Sequence, residues 1–149
     1  MKNKIRLGMV GGGKDAFIGA VHRMAARMDD KYDFVAGCLS STPEKSKISA
    51  KEINLDLNRS YPDFKTMAEE EAKRADGIEV VSIVTPNHMH AKPAIAFLEK
   101  GIHVICDKPM TATMDEAYNL YNAVKKSDII FICVGTPTKK NGNSADLSQ

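Results

Sequence analysis

Apolar positions fall into five short runs separated by longer stretches of helical spacing. The runs are Ile5–Val10, Phe34–Leu39, Val80–Val84, Ile102–Cys106 and Ile129–Val134. Most are apolar almost throughout, the pattern of strands covered on both faces. Between them lie helix signals. Thr42 followed by Pro43 reads as an N-cap with proline in the first helical position. Asp63 caps a segment in which Glu69 faces Lys73 and Glu70 faces Arg74 at i,i+4. Thr113 and Glu116 form a capping box ahead of Ala117, Leu120, Tyr121 and Val124. Gly101 follows Leu98-Glu99-Lys100, where a helix end favours a left-handed residue. Strands alternating with helices predict right-handed crossovers and a doubly wound, Rossmann-type parallel α/β sheet in a single domain.

Composition narrows the class. The 149 residues are 43% apolar, 27% charged and 6% aromatic, with no Trp, which suits one domain of ordinary size. Twenty-one basic residues against 19 acidic give a formal +2, too balanced for a nucleic-acid footprint. No apolar run approaches the ~20 residues of a membrane span, and the start Met1-Lys2-Asn3-Lys4 lacks a signal-peptide core. Three cysteines, Cys38, Cys106 and Cys133, each lie beside or within an apolar run. That usage predicts buried thiols and a cytoplasmic chain. The domain is expected over 1–138, and the polar, Asn- and Ser-rich stretch 139–149 reads as a tail.

Candidate chemistry begins at the first turn. Gly11, Gly13 and Ala16 make a G-x-G-x-x-A pattern with an extra Gly12, directly after the first strand and opening a helix that contains Phe17 and Ile18. One glycine permits the tight turn, another lets backbone approach a diphosphate, and the small third residue allows close helix–strand packing. The amides of the helix N-terminus then favour the anion. On this basis Gly13→Val is expected to weaken dinucleotide binding without unfolding the chain. No acid ends the second strand. Ser40, Ser41 and Thr42 stand there instead, able to hydrogen-bond a ribose, or a 2′-phosphate with help from Lys45, so NAD and NADP stay open.

Two further strand ends carry polar residues. Val80–Val84 runs into Thr85-Pro86-Asn87-His88-Met89-His90, and Ile102–Cys106 into Asp107-Lys108-Pro109. In a doubly wound sheet these loops line the ligand crevice. A lysine there can stabilise charge developing on a hydroxyl or carbonyl near a nicotinamide. His88 and His90 are two apart in a loop with no carboxylate or thiol beside them, which is too little for a metal site, and none is expected. His90 reads as a ligand contact or a cap of the helix carrying Pro93.

Taken together, Gly11-Gly12-Gly13 with Phe17-Ile18-Gly19-Ala20-Val21-His22, Thr85-Pro86-Asn87 with His90, and Asp107-Lys108-Pro109 resemble one family over about residues 4–126. It is the nucleotide-binding half of the glucose-fructose oxidoreductase/inositol dehydrogenase (Gfo/Idh/MocA) family. The resemblance implies NAD(P) at Gly11, Gly13 and Ala16, with Thr85, Asn87 and His90 near the cofactor. It also implies Lys108 and Pro109 beside nicotinamide and substrate, and hydride transfer at a secondary alcohol of a sugar or polyol. Asp107 stands where the family usually has Glu. The family's large substrate domain, which holds a further catalytic Asp and His, is expected to be absent. Residues 127–149, with the strand-then-Thr-Pro unit Val134-Gly135-Thr136-Pro137-Thr138 followed by Asn141-Gly142 and Ala145-Asp146-Leu147-Ser148, resemble instead a segment of UDP-glucose and related nucleotide-sugar dehydrogenases, which suggests a composite origin. The expected function is an NAD(P)-binding domain that does not turn over unaided. The rival expectation is a non-catalytic module that pairs with another copy or another chain.

Overall fold

The computed structural model describes residues 4–125. Four strands, β1 (Ile5–Gly11), β2 (Tyr32–Cys38), β3 (Val80–Val84) and β4 (His103–Cys106), form one parallel sheet in the order β2-β1-β3-β4. The helices are α1 (Phe17–Met28), α2 (Pro43–Glu52), α3 (Phe64–Lys73), α4 (Ala91–Leu98) and α5 (Met114–Val124). The second strand begins two residues earlier than its apolar run, because Tyr32 and Asp33 extend the ladder beside Ile5 and Arg6. The run Ile129–Val134 lies outside the described residues.

The chain leaves β1 in one direction to reach β2, and returns past β1 in the other to reach β3 and then β4. Right-handed crossovers therefore put α1 on one face and α3 and α4 on the other. On that second face Val81, Ile83, Phe97 and Met67 form the main core with Val10, Ala36 and Leu120. Phe97 and Met67 are fully buried, and each contributes about 1.5–3 kcal/mol through apolar area removed from water. A second cluster, Met9, Leu39, Ala50, Leu55 and Val84, packs at the carboxyl end of β1.

Several local signals act as the spacing predicts. Asp63 accepts from Thr66 N at 2.9 Å and from Thr66 Oγ1 at 2.7 Å, and caps α3. Thr113 Oγ1 accepts from Glu116 N at 3.2 Å, while Glu116 reaches back to Ala112 N rather than to Thr113 N. Gly101 takes φ +75 after α4. Other signals differ. Thr42 occupies the N-cap of α2 without a side-chain cap bond. Lys73 pairs with Glu70 one turn back, and Arg74 turns to Asp76, so the two expected i,i+4 pairs are absent.

Below β2 and β3 a buried ionic cluster fixes the long connection between them. Glu71 is 1% exposed and accepts from Arg59, from Tyr61 Oη at 2.7 Å and from Ile78 N at 3.0 Å. Burial, followed by the bond to Glu71, pushes the Tyr61 hydroxyl well above its usual range. Every lone-pair direction of the carboxylate is directed at a donor, the condition under which a buried charge is tolerated.

Candidate cofactor site

The carboxyl ends of β1, β2, β3 and β4 lie along one rim, and β1 has neighbours on both sides. The connection changes direction there, the switch point at which open α/β sheets bind ligands. Gly11 and Gly12 take φ +81 and +69, conformations that cost an L side chain about 1 kcal/mol or more. Their positions are also crowded. A Cβ on Gly11 would stand 3.0 Å from Thr85 Cγ2, so the glycine turn touches the loop after β3. A Cβ on Gly12 would meet Gly19 Cα at 2.8 Å, and one on Gly19 would meet Gly12 Cα at 2.3 Å. The close helix–strand contact expected at Ala16 is thus made by Gly19.

Ala16 serves another purpose. Its N–H closes a turn onto Gly13 O at 3.1 Å, and it occupies the N-cap of α1 with no side-chain cap and no acid in the first turn. The amides at Phe17 and Ile18 therefore open α1 without a carboxylate or hydroxyl cap from Ala16, which fits an external diphosphate. Phe17 is 82% exposed and Ile18 half-buried.

Gly13 departs from its expected reason. A Cβ there would fall 2.4 Å from Leu39 O and 2.6 Å from Ser49 Oγ, atoms of the protein itself. Ser49 also accepts from Lys14 N at 2.9 Å. The missing side chain lets the turn lie against the end of β2 and α2, so Gly13→Val disturbs the fold as well as any diphosphate. From α1, Arg23 Nη1 donates to Gly12 O at 2.6 Å. Burial, then the neighbouring Arg27, draws the Arg23 guanidinium below its ordinary range.

Ser40 and Ser41 follow β2 on the same rim, half-buried and exposed respectively. Leu39 N, just before them, donates to Ser46 Oγ at 3.0 Å. After β3, Thr85 Oγ1 donates to Met89 O at 3.0 Å, while Pro86 and Asn87 are exposed. After β4, Asp107 N donates to Ile83 O at 3.0 Å and Lys108 N to Asp107 Oδ1 at 2.9 Å. Lys108–Pro109 is cis, and both residues are exposed. His90 is buried between the last two loops, Nε2 2.8 Å from Thr85 O and Nδ1 2.6 Å from Pro109 O. His88 is exposed. Among the described residues no three His, Cys, Asp or Glu gather as metal ligands, and no helix is long and apolar enough to cross a membrane.

Gly19, Ser49 and Arg23 were not apparent as site residues from spacing. Gly19 left a signal, a glycine three residues after Ala16 on the same helix. Ser49 and Arg23 left none, since their partners are 35 and 11 residues away.

A glycine turn opening an uncapped helix, at the switch point of a doubly wound parallel sheet, defines a dinucleotide-binding Rossmann domain. Residues 5–136 match the oxidoreductase family described as having an NAD-binding Rossmann fold, and the chain belongs to that family, Gfo/Idh/MocA. The match runs through nearly all of the 127–138 segment and ends at Thr136. The chain is 41% identical over 133 residues to the uncharacterised oxidoreductase YfiI of Bacillus subtilis, covering 88% of this chain and 34% of that protein. An oxidoreductase from Sinorhizobium meliloti superposes with TM-score 0.82 at 58% identity, covering 87% of this chain and 36% of that one. An inositol dehydrogenase homologue from Azotobacter vinelandii, solved with NADH and myo-inositol, superposes with TM-score 0.79 at 40% identity over 84% of this chain and 33% of that one. The chain thus spans about a third of the length of these relatives.

Proposed function

We propose that this chain is the dinucleotide-binding part of an oxidoreductase that oxidises or reduces a secondary alcohol of a sugar or polyol. The observation that carries the reading is convergence. Gly11 lies against Thr85, and Asp107 is tied to Ile83, so three loops of different strands share one crevice. The inositol dehydrogenase homologue, solved with NADH and myo-inositol, supports the substrate class.

The residues divide by position. Gly11, Gly12 and Gly13, with the amides from Ala16 to Ile18, hold the diphosphate; Ser40 and Ser41 face the adenosine ribose. Thr85, Pro86 and Asn87 line the nicotinamide side, and Asp107, Lys108 and Pro109 lie between the nicotinamide and the alcohol. The dinucleotide, when bound, supplies the hydride chemistry. The Lys108 ammonium hydrogen-bonds the substrate oxygen and stabilises negative charge developing there. Reaction also needs the alcohol carbon held ~3–3.5 Å from its partner. Residues 4–125 build one wall of that enclosure, so this part binds dinucleotide and does not turn over alone. A domain over 1–138 in a cytoplasmic setting belongs to the same proposal.

A second reading rests on α1. Phe17, Val21, Met24 and Met28 form an exposed apolar ridge at i, i+4, i+7 and i+11, with Met28 83% exposed. Such a ridge supports a non-catalytic interaction module. Calorimetric titration with NAD+, NADH, NADP+ and NADPH separates the two. Saturable binding of at least one form, with no polyol turnover, is expected of the first. A folded chain that ignores all four at millimolar concentration leaves the second.

A further inference from the structure

His90 lies at the N-cap of α4 and is 1% exposed. Both ring nitrogens are turned to main-chain carbonyls, Nε2 to Thr85 O at 2.8 Å and Nδ1 to Pro109 O at 2.6 Å. Carbonyls only accept, so a neutral ring donates to one of them and a doubly protonated ring to both. In either state neither nitrogen points into the crevice. The two carbonyls belong to different loops, one carrying Thr85 and Asn87, the other Lys108.

Lys108 is bracketed by two anchors. On its amino side, Asp107 N is held by Ile83 O at 3.0 Å. On its carboxyl side, Pro109 O faces the His90 ring. The long lysine stem is flexible, so the place its ammonium can reach is set by where its main chain is held. Displacing a reacting group by about 1 Å can cost a hundredfold in rate, and an anchor on each side limits such displacement.

We propose that His90 is a positioning residue. Its ring locks the loop after β3 to the loop after β4, sets the stance of Lys108 against Thr85 and Asn87, and does not touch the dinucleotide. The proposal rests on the dinucleotide reading above.

The experiment uses the full chain with 15N-labelled histidine and 13C-dimethylated lysines, titrated with NADH and NADPH and followed by NMR. The Lys108 signal is assigned by its loss in Lys108→Arg. In the wild-type chain we expect the His90 ring signals to stay put on nucleotide addition, while a dispersed Lys108 signal responds. In His90→Ala the Lys108 signal collapses to the free dimethyl-lysine position, and added imidazole restores it. Movement of the His90 ring nitrogens with the nucleotide would make His90 a ligand contact and overturn the proposal. So would a Lys108 signal unchanged in folded His90→Ala. Should that variant fail to fold, the wild-type ring response decides. A wild-type chain that binds neither nucleotide overturns the dinucleotide reading itself, a result visible before any variant is made.

Discussion

Gly19, in the first turn of α1, lies so near Gly12 that a methyl group on it would stand 2.3 Å from the Gly12 Cα. Helix and strand meet backbone to backbone, which brings the first helical amides to the crevice rim. Gly19→Ala raises helix propensity by ~1 kcal/mol, yet the clash is with main chain, which cannot swing aside. Overpacking of this kind costs about 1–3 kcal/mol, so a net loss is expected in urea unfolding. Equal midpoints would show that the contact relaxes freely.

Gly13→Val is expected to lower both stability and dinucleotide affinity. Its Cβ meets Leu39 O and Ser49 Oγ, and the strain is again of order 1–3 kcal/mol. Denaturant midpoint and calorimetric affinity, measured on the same sample, check it. Loss of affinity at unchanged stability would return the glycine to a diphosphate role alone.

Lys108→Ala should leave dinucleotide affinity within about threefold, because an exposed surface ammonium contributes little unless paired. Its loss falls on reactions with the alcohol. A tenfold or greater drop in calorimetric affinity would assign the lysine to the cofactor.

Ser40→Asp supplies the acid that the end of β2 lacks. A carboxylate there accepts from ribose hydroxyls and repels a 2′-phosphate. The ratio of NADH to NADPH affinity should rise by roughly tenfold or more, the scale of one charge–charge contact of ~1.4 kcal/mol. An unchanged ratio would place the adenosine ribose elsewhere.

Asp63 gives a pH test. Bonds from Thr66 N and then Thr66 Oγ1 hold its carboxyl below the usual value of 3.8. A depressed folded value means the cap's contribution is complete above the unfolded pKa, near 4, and fades as pH falls through the folded one. Asp63→Ala should cost about 1 kcal/mol at neutral pH, and the gap to wild type should close in acid. Thermal unfolding from pH 7 to pH 2 measures it; a gap constant with pH would mean the carboxylate is not the capping form.

Much of this was legible in the sequence because it is local. β3 follows its apolar run to the residue, Asp63 and Thr113 cap where they should, and Gly101 turns left-handed where a helix ends. Contacts between distant residues were not. Glu71 looks like one more acid on a solvated helix, yet its partners Arg59 and Ile78 bury it. Gly19 was hidden by the three extra residues between the turn and the helix contact. His90 could be assigned a neighbourhood but not a direction, since one of the two carbonyls that flank its ring, Pro109 O, belongs to a loop 19 residues further along the chain.

The opposite rim of the sheet has its own use. There Ile5 N bonds Lys31 O and His103 N bonds Glu79 O, at the strand ends remote from the glycine turn. Lys100, exposed beside Gly101, sits at that end. On the proposed placement of the dinucleotide, a fluorophore or tether attached to it would leave the glycine turn and the neighbouring loops unobstructed, as immobilised sensing of nicotinamide nucleotides requires.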